Sequence, residues 1–266
     1  MFKFLLQPKW IGLHLACVFG VILMINLGFW QLRRLDERQT FNERVISHSQ
    51  APEVPLSELI DAPDPLEVDY RPVVMTGTYL TDEQFEIINL SQDGTTGRDM
   101  VNALRLDDGS LVIVNRGFVP NGAPSPPAPT GEVVVHGRLR RGKGGGTGQA
   151  AGAAEQAVTE IRRIDVAALG QQLGEPVAPM YVDLLGSTPA ERDVVKPVPM
   201  PELGEGPHLG YAVQWFLFTV CVVVGWGLAV ARKHGEDAEA AGRPPKKRRG
   251  LPPIADGDEV VRVSGT

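Results

Sequence analysis

Cysteine is almost missing from this chain. Of 266 residues only Cys17 and Cys221 are cysteines, and both lie inside long apolar runs. The polar stretch between those runs therefore has no disulfide and no thiolate metal site, even on an oxidising side of a membrane. Charge is missing locally. Residues 11–32 and 209–230 contain no Asp, Glu, Lys or Arg. Each run is about 22 residues, or ~33 Å of helix at ~1.5 Å per residue, enough to cross a ~30 Å hydrocarbon core.

Catalytic signatures are also lacking. No Gly-x-Ser-x-Gly, His-Glu-x-x-His or paired-cysteine pattern occurs, so nothing marks a hydrolase or transferase and no catalytic residue is named. Residues 137–144 approach a P-loop but end in Gly144, where Ser or Thr would hold Mg²⁺. A formal net charge of −6 argues against nucleic acid as a partner. The basic run at 246–249 reads better as a tail drawn to anionic lipid.

What is present is a polar domain between two spans. The expected layout is an N-terminus at 1–10, a transmembrane helix at 11–32 and an exoplasmic domain at 33–207. A second transmembrane helix follows at 209–230, and a disordered tail at 231–266. Basic residues set the orientation. Lys3 and Lys9 precede the first span, while Arg232, Lys233, Arg243 and Lys246 are among those after the second. Their excess over the domain side predicts cytoplasmic termini, although Arg33 and Arg34 run against it. A cleaved signal peptide is the alternative for the first run. Its length, and the lack of a small-residue cleavage site after it, favour an uncleaved anchor.

The domain reads as α+β, mainly antiparallel sheet or partial barrel. The first helix is expected to continue to about Ile46. A turn of helix is expected at 56–60. Strands are expected at 71–80, 84–90, 100–106, 111–115, 132–139, 160–164 and 180–185. Asp107-Asp108-Gly109-Ser110 makes a hairpin turn between two of them. Asp165 is expected to cap a short helix stopped by Gly174 and Pro176. The glycine-rich insert at 142–157 has no periodicity.

The candidate site lies at the exoplasmic ends of the spans. His208 opens the second, and Tyr211, Ala212 and Trp215 follow at helical spacings of about three, four and seven, on one face. Imidazole there can ligate a haem iron. The spacing alone favours the more general reading, in which His, Tyr and Trp form an interfacial belt. The first span ends similarly, with Asn26, Trp30, Gln31, Arg33 and Arg34. Asn26 and Gln214 are polar residues within the runs, of the kind that pair across helices. Gly12, Ala16 and Gly20 form a small-residue seam suited to another helix.

Four blocks carry a family resemblance. Leu27–Leu35 is LGFWQLRRL, similar to a Gly-x-Trp-Gln-Leu-x-Arg pattern. Tyr70-Arg71-Pro72-Val73 with Gly77-Thr78-Tyr79 is similar to a first strand. Val112–Pro120 is VIVNRGFVP, similar to Val-Asn-Arg-Gly-Trp-Val-Pro with Phe118 in place of Trp. His208–Phe216 is HLGYAVQWF, similar to His-x-x-Tyr-Ala-x-Gln-Trp-Phe. In this order, over about residues 10–232, the chain resembles the Surfeit locus protein 1 family.

The resemblance implies a non-enzymatic assembly factor for haem a-containing cytochrome c oxidase. Its partners would be oxidase subunits, alone or in a respiratory supercomplex. Its place would be a plasma membrane, in a bacterium rather than a mitochondrion. His208 then becomes the candidate axial ligand of haem a, with Tyr211, Trp215 and Trp30 around it. Arg33 and Arg34 would face the propionates, since guanidinium forks match carboxylates. Their alternative role is snorkelling at the interface. The competing function is a permanently bound accessory subunit holding no haem.

Overall fold

A computed structural model describes residues 3–142 and 159–242 of the chain. In chain order the elements are α1 (Pro8–Ser49), β1 (Val54–Pro55), α2 (Pro65–Val68), β2 (Pro72–Gln92), β3 (Thr95–Leu106) and β4 (Leu111–Pro120). Then come β5 (Glu132–Arg141), β6 (Glu160–Ile161), α3 (Val166–Leu173), β7 (Val177–Thr188) and α4 (His208–Gly242). The described residues form two units, one holding Arg33–Gly206 and the other holding the chain on either side of it.

The unit at Arg33–Gly206 is built on one mixed sheet. Strands pair in the order β2-β3-β4-β7-β5, and β5 pairs back onto β2. That last pairing turns the expected partial barrel into a closed one. The sheet is also less uniformly antiparallel than the pattern implied: β1 and β6 run parallel to β2, and β7 runs parallel to β4. Closure removes edges that would otherwise present unpaired backbone groups.

Period-two alternation sorts the side chains. Val73, Met75, Leu104, Val112, Val133, Val135 and Val182 come from all five ring strands and form one buried cluster, the barrel interior. Val101, Ala103 and Ile113 point the other way. They pack with Phe85, Ile161, Ile164 and Leu169, which places α3 against the outside. The helix α3 stands where expected. Asp165 accepts from the Ala168 N–H, and Gly174 closes the C-terminus in the left-handed region at φ 70°.

Two expected strands proved to be one. The segments at 71–80 and 84–90 fuse into β2, because Thr81-Asp82-Glu83 contains no chain-reversing residue. A register shift between Tyr79 and Gln84 bends the strand instead. The reversal comes later, at Asp93-Gly94, where both residues have positive φ as a tight hairpin requires.

In the other unit, α1 and α4 are long and apolar enough to cross a membrane. Both outrun their expected bounds. The helix of α4 continues through residues 231–242, where disorder was expected to begin. Arg232–Glu236 and Lys233–Asp237 pairs at i,i+4 support that extra length. The glycine-rich insert beyond Gly142 and the basic run at 246–249 lie outside the described residues.

Candidate functional site

Glycine lets the two long helices approach within their unit. A Cβ built on Gly28 would stand 2.7 Å from ring carbons of Phe216, closer than real Cβ atoms come. Phe216 also meets Phe29 edge to face, ring centres 5.6 Å apart. The sequence reading offered Gly12, Ala16 and Gly20 as a seam suited to close packing against another helix. The helix α4 meets α1 at Gly28, whereas nothing in this chain lies within 4 Å of a Cβ on Gly12 and only the α1 residue Met24 approaches Gly20.

One turn beyond Gly28, Gln31 is buried and its Oε1 lies 2.9 Å from Nδ1 of His208. With Gln31 presenting its carbonyl oxygen, Nδ1–H is the donor. In the tautomer with its proton on Nδ1, the ring carries its lone pair on Nε2, the atom through which such an imidazole binds metal. Such an outer hydrogen bond fixes the tautomer and the ring orientation. His208 is half-buried, Tyr211 is exposed, and Trp215 is half-buried against Phe218. Ala212, one turn after His208, is buried, so the small residue marks the close-packed side of α4.

Trp30 is 43% exposed and precedes Gln31 by about 100° of helix rotation. Arg33 and Arg34 follow in α1 but belong to the barrel unit; both are exposed, and Arg34 pairs with Glu37 at 2.7 Å. The group that reaches His208 is thus Gln31, which the site assignment from sequence left out. In the sequence it shows only as an amide near the end of an apolar run, one turn from Gly28; its burial and its contact with His208 come from packing. Among the described residues, no three His, Cys, Asp or Glu side chains gather as a metal-holding group.

The barrel unit has its own polar centre. Arg116 is fully buried in the interior. Its Nε and Nη2 donate to both oxygens of Glu191 at 2.8 and 2.7 Å, and its Nη1 donates to Asn102 at 3.1 Å. On the other face, Asn115 donates to Asp99 at 2.9 Å and to Asp183 at 3.3 Å. Arg138 and Arg140 reach Asp183, and Arg140 also reaches Asp69 while lying over the Tyr70 ring. Burial pushes the Asp99 carboxyl up to about 6, with Asp183 adding to the rise and the Asn115 hydrogen bond opposing it. These groups satisfy one another and hold strands together.

The same cluster straps the segment after β7. Arg138 donates to the carbonyls of Val198 and Pro199, and Phe118 exchanges backbone bonds with Lys196. Further along, Arg38 and Asn42 of α1 hold the carbonyls of Glu202, Gly204 and Leu203. The strand block VIVNRGFVP is therefore structural: Arg116 ties the interior, Asn115 ties the outer cluster, and Phe118 ties the strap.

In chain order, then, two apolar helices stand before and after a closed mixed barrel. The SURF1 family model matches residues 18–220. The chain belongs to that family. It is 30% identical over 253 residues to uncharacterized SURF1-like proteins of Mycobacterium tuberculosis (strain H37Rv) and Mycobacterium bovis, covering 91% of each chain. A SURF1-like protein of Monosiga brevicollis is 23% identical over 261 residues, covering 89% of this chain and 94% of that one.

Proposed function

We propose that this protein is a non-enzymatic assembly factor for a haem a-containing terminal oxidase. It passes haem a to the catalytic subunit or steadies that subunit during loading. The observation that carries the reading is the Gln31–His208 hydrogen bond, which leaves Nε2 as a ligand nitrogen. Haem a, when bound, would supply an iron able to take an imidazole nitrogen as ligand. His208 would hold that iron, Gln31 would fix its ring, and Tyr211, Trp215 and Trp30 would offer aromatic surface nearby. Arg33 and Arg34 enter from the sequence alone, as guanidinium partners for propionate carboxylates.

The partners are subunits of cytochrome c oxidase, alone or within a respiratory supercomplex. The setting is a bacterial plasma membrane, with the barrel unit on the exoplasmic side and both termini cytoplasmic. The basic residues around the two apolar runs support that orientation.

The test is His208→Ala in a host that makes the oxidase. Oxidase haem a content should fall while the protein stays in the membrane. Unchanged haem a content and oxidase activity, in this variant and in its combination with Arg33→Ala, would remove the site. Co-purification with mature oxidase in fixed ratio would identify an accessory subunit instead.

A further inference from the structure

Asp69, Asp99 and Asp183 are buried together in the barrel unit, and cations reach only two of them. Asp183 pairs with Arg138 and Arg140 at 3.2 and 3.0 Å. Asp69 pairs with Arg140 and Arg141 at 3.1 and 3.5 Å. The side-chain partner of Asp99 among the described residues is the Asn115 amide, which donates to Asp99 at 2.9 Å and to Asp183 at 3.3 Å. In the sheet the neighbours of Asp99 are Ile87 of β2 and Phe118 of β4, both uncharged. Tyr181 of β7 is near Asp183, Arg140 and Asp69, and burial keeps its phenol protonated. The histidines of this unit face other groups, His48 the Asp69 carbonyl and His136 the Glu53 carboxylate. Lys196 is exposed.

The strap, residues 195–204, closes over this cluster. Arg138, buried and bonded to Asp183, also donates to the strap carbonyls of Val198 and Pro199 at 2.9 and 3.0 Å. Phe118, the register partner of Asp99, exchanges backbone bonds with Lys196 at 2.7 and 2.8 Å. Gln92 donates to the Pro197 carbonyl at 3.2 Å. The strap thus stands one strand from Asp99 and one guanidinium from Asp183. Pro197, Pro199 and Pro201 take backbone donors out of it, so it has no continuous ladder of its own. Such a segment opens locally at less cost than a core strand. A carboxylate ionised in a buried site without a cation is costly, and water reaching it relieves that cost.

We propose that Asp99 and the strap form a proton-linked latch. With Asp99 protonated, the strap lies closed over the cluster. With Asp99 ionised, the strap opens locally and lets water reach the carboxylate. Burial pushes this carboxyl up to about 6 in the closed form, so the change falls near that pH. The closed form holds the proton more tightly than the open one. Closure is therefore favoured below about pH 6 and weakened above it. The latch acts on the connection between β7 and α4 and is independent of any role in oxidase assembly.

The test is hydrogen exchange, read by mass spectrometry, on the full chain in detergent. Rates at about pH 4.5 and about pH 7.5 are corrected for the intrinsic pH dependence of exchange. Peptides covering 196–204 should lose protection about tenfold or more at the higher pH, whereas a peptide covering α3 should not change. Asp99→Asn should keep the strap protected at both values. The midpoint of the wild-type profile, expected near pH 6, is a second measurement that stands without the variant. A strap whose protection is the same at both values overturns the proposal, and so does a pH response that survives in Asp99→Asn. An equal loss in the strap and in α3 overturns it too, because that is a change in global stability and not a local opening.

Discussion

Nδ1 of His208 and Oε1 of Gln31 stand 2.9 Å apart, although 177 positions separate them in the chain. The contact makes Gln31 a positioning residue whose loss should differ from loss of the ligand itself. Gln31→Leu removes the acceptor and frees the imidazole to rotate. Oxidase haem a content should fall, with apparent haem affinity of the purified protein reduced about tenfold or more. Gln31→Glu keeps an acceptor for Nδ1–H and should retain binding. If Gln31→Leu and Gln31→Glu behave alike in a haem titration followed by Soret absorbance, the positioning role fails.

The interior ion pair should dominate barrel stability. Arg116→Met leaves Glu191 and Asn102 buried without their donor, and should cost about 3–5 kcal/mol. Adding Glu191→Gln should recover part of that loss, because a neutral amide is less costly to bury than a lone carboxylate. Urea unfolding of the detergent-solubilised chain, followed by intrinsic fluorescence, measures both. Additive losses in the double variant would show that the two side chains are not coupled.

Acidity should act on the barrel through Asp99 in an unusual direction. Its folded pKa, raised to about 6, lies above the usual value near 3.8. The folded state therefore holds the proton more tightly than the unfolded one between those limits. The stability due to Asp99 rises as pH falls from about 6 toward 4, and the penalty is complete above pH 6. Asp99→Asn mimics the protonated form and keeps an acceptor for Asn115. It should stabilise the protein at pH 7.5 by about 1–3 kcal/mol and by much less at pH 4.5. Melting temperatures at the two pH values check it; a uniform shift at both would contradict the assignment.

Gly28 should tolerate no side chain. A valine there drives branched carbons into the Phe216 ring, whose nearest atoms are already 2.7 Å from a single added Cβ. Gly28→Val should destabilise the two-helix unit by about 1–3 kcal/mol. Pairing it with Phe216→Ala should restore much of the loss. Gly12→Val is the control and should be near neutral for the monomer, since nothing lies within 4 Å of its Cβ. Thermal denaturation in detergent distinguishes these outcomes.

Orientation has its own test. Single cysteines near Gly242 and near Gly145, in a chain without its native cysteines, report the two sides of the membrane. An impermeant thiol reagent on intact cells should label the site near Gly145 and spare the one near Gly242. The opposite pattern would reverse the topology.

What the sequence by itself determined was whatever depends on neighbours along the chain. Charge-free runs specified two long apolar helices, because helical backbone groups satisfy one another within the segment. Asp165 and Gly174 specified the ends of α3, because a cap bonds within three or four residues. Asp107–Ser110 specified a hairpin turn for the same reason. Its side chain bonds close locally, with Asp108 accepting from Ser110.

Tertiary structure decided the rest, since it depends on who meets whom. Periodicity marks which strand face is buried but carries no pairing partner, so closure of β5 onto β2 and the parallel run of β7 beside β4 were not readable. The same limit hid which glycine of α1 meets α4: only the position of Phe216 shows that Gly28 receives the second helix. Gln31 became a site residue for the same reason: an amide in an apolar run has no assigned role until packing brings an imidazole within 2.9 Å of it.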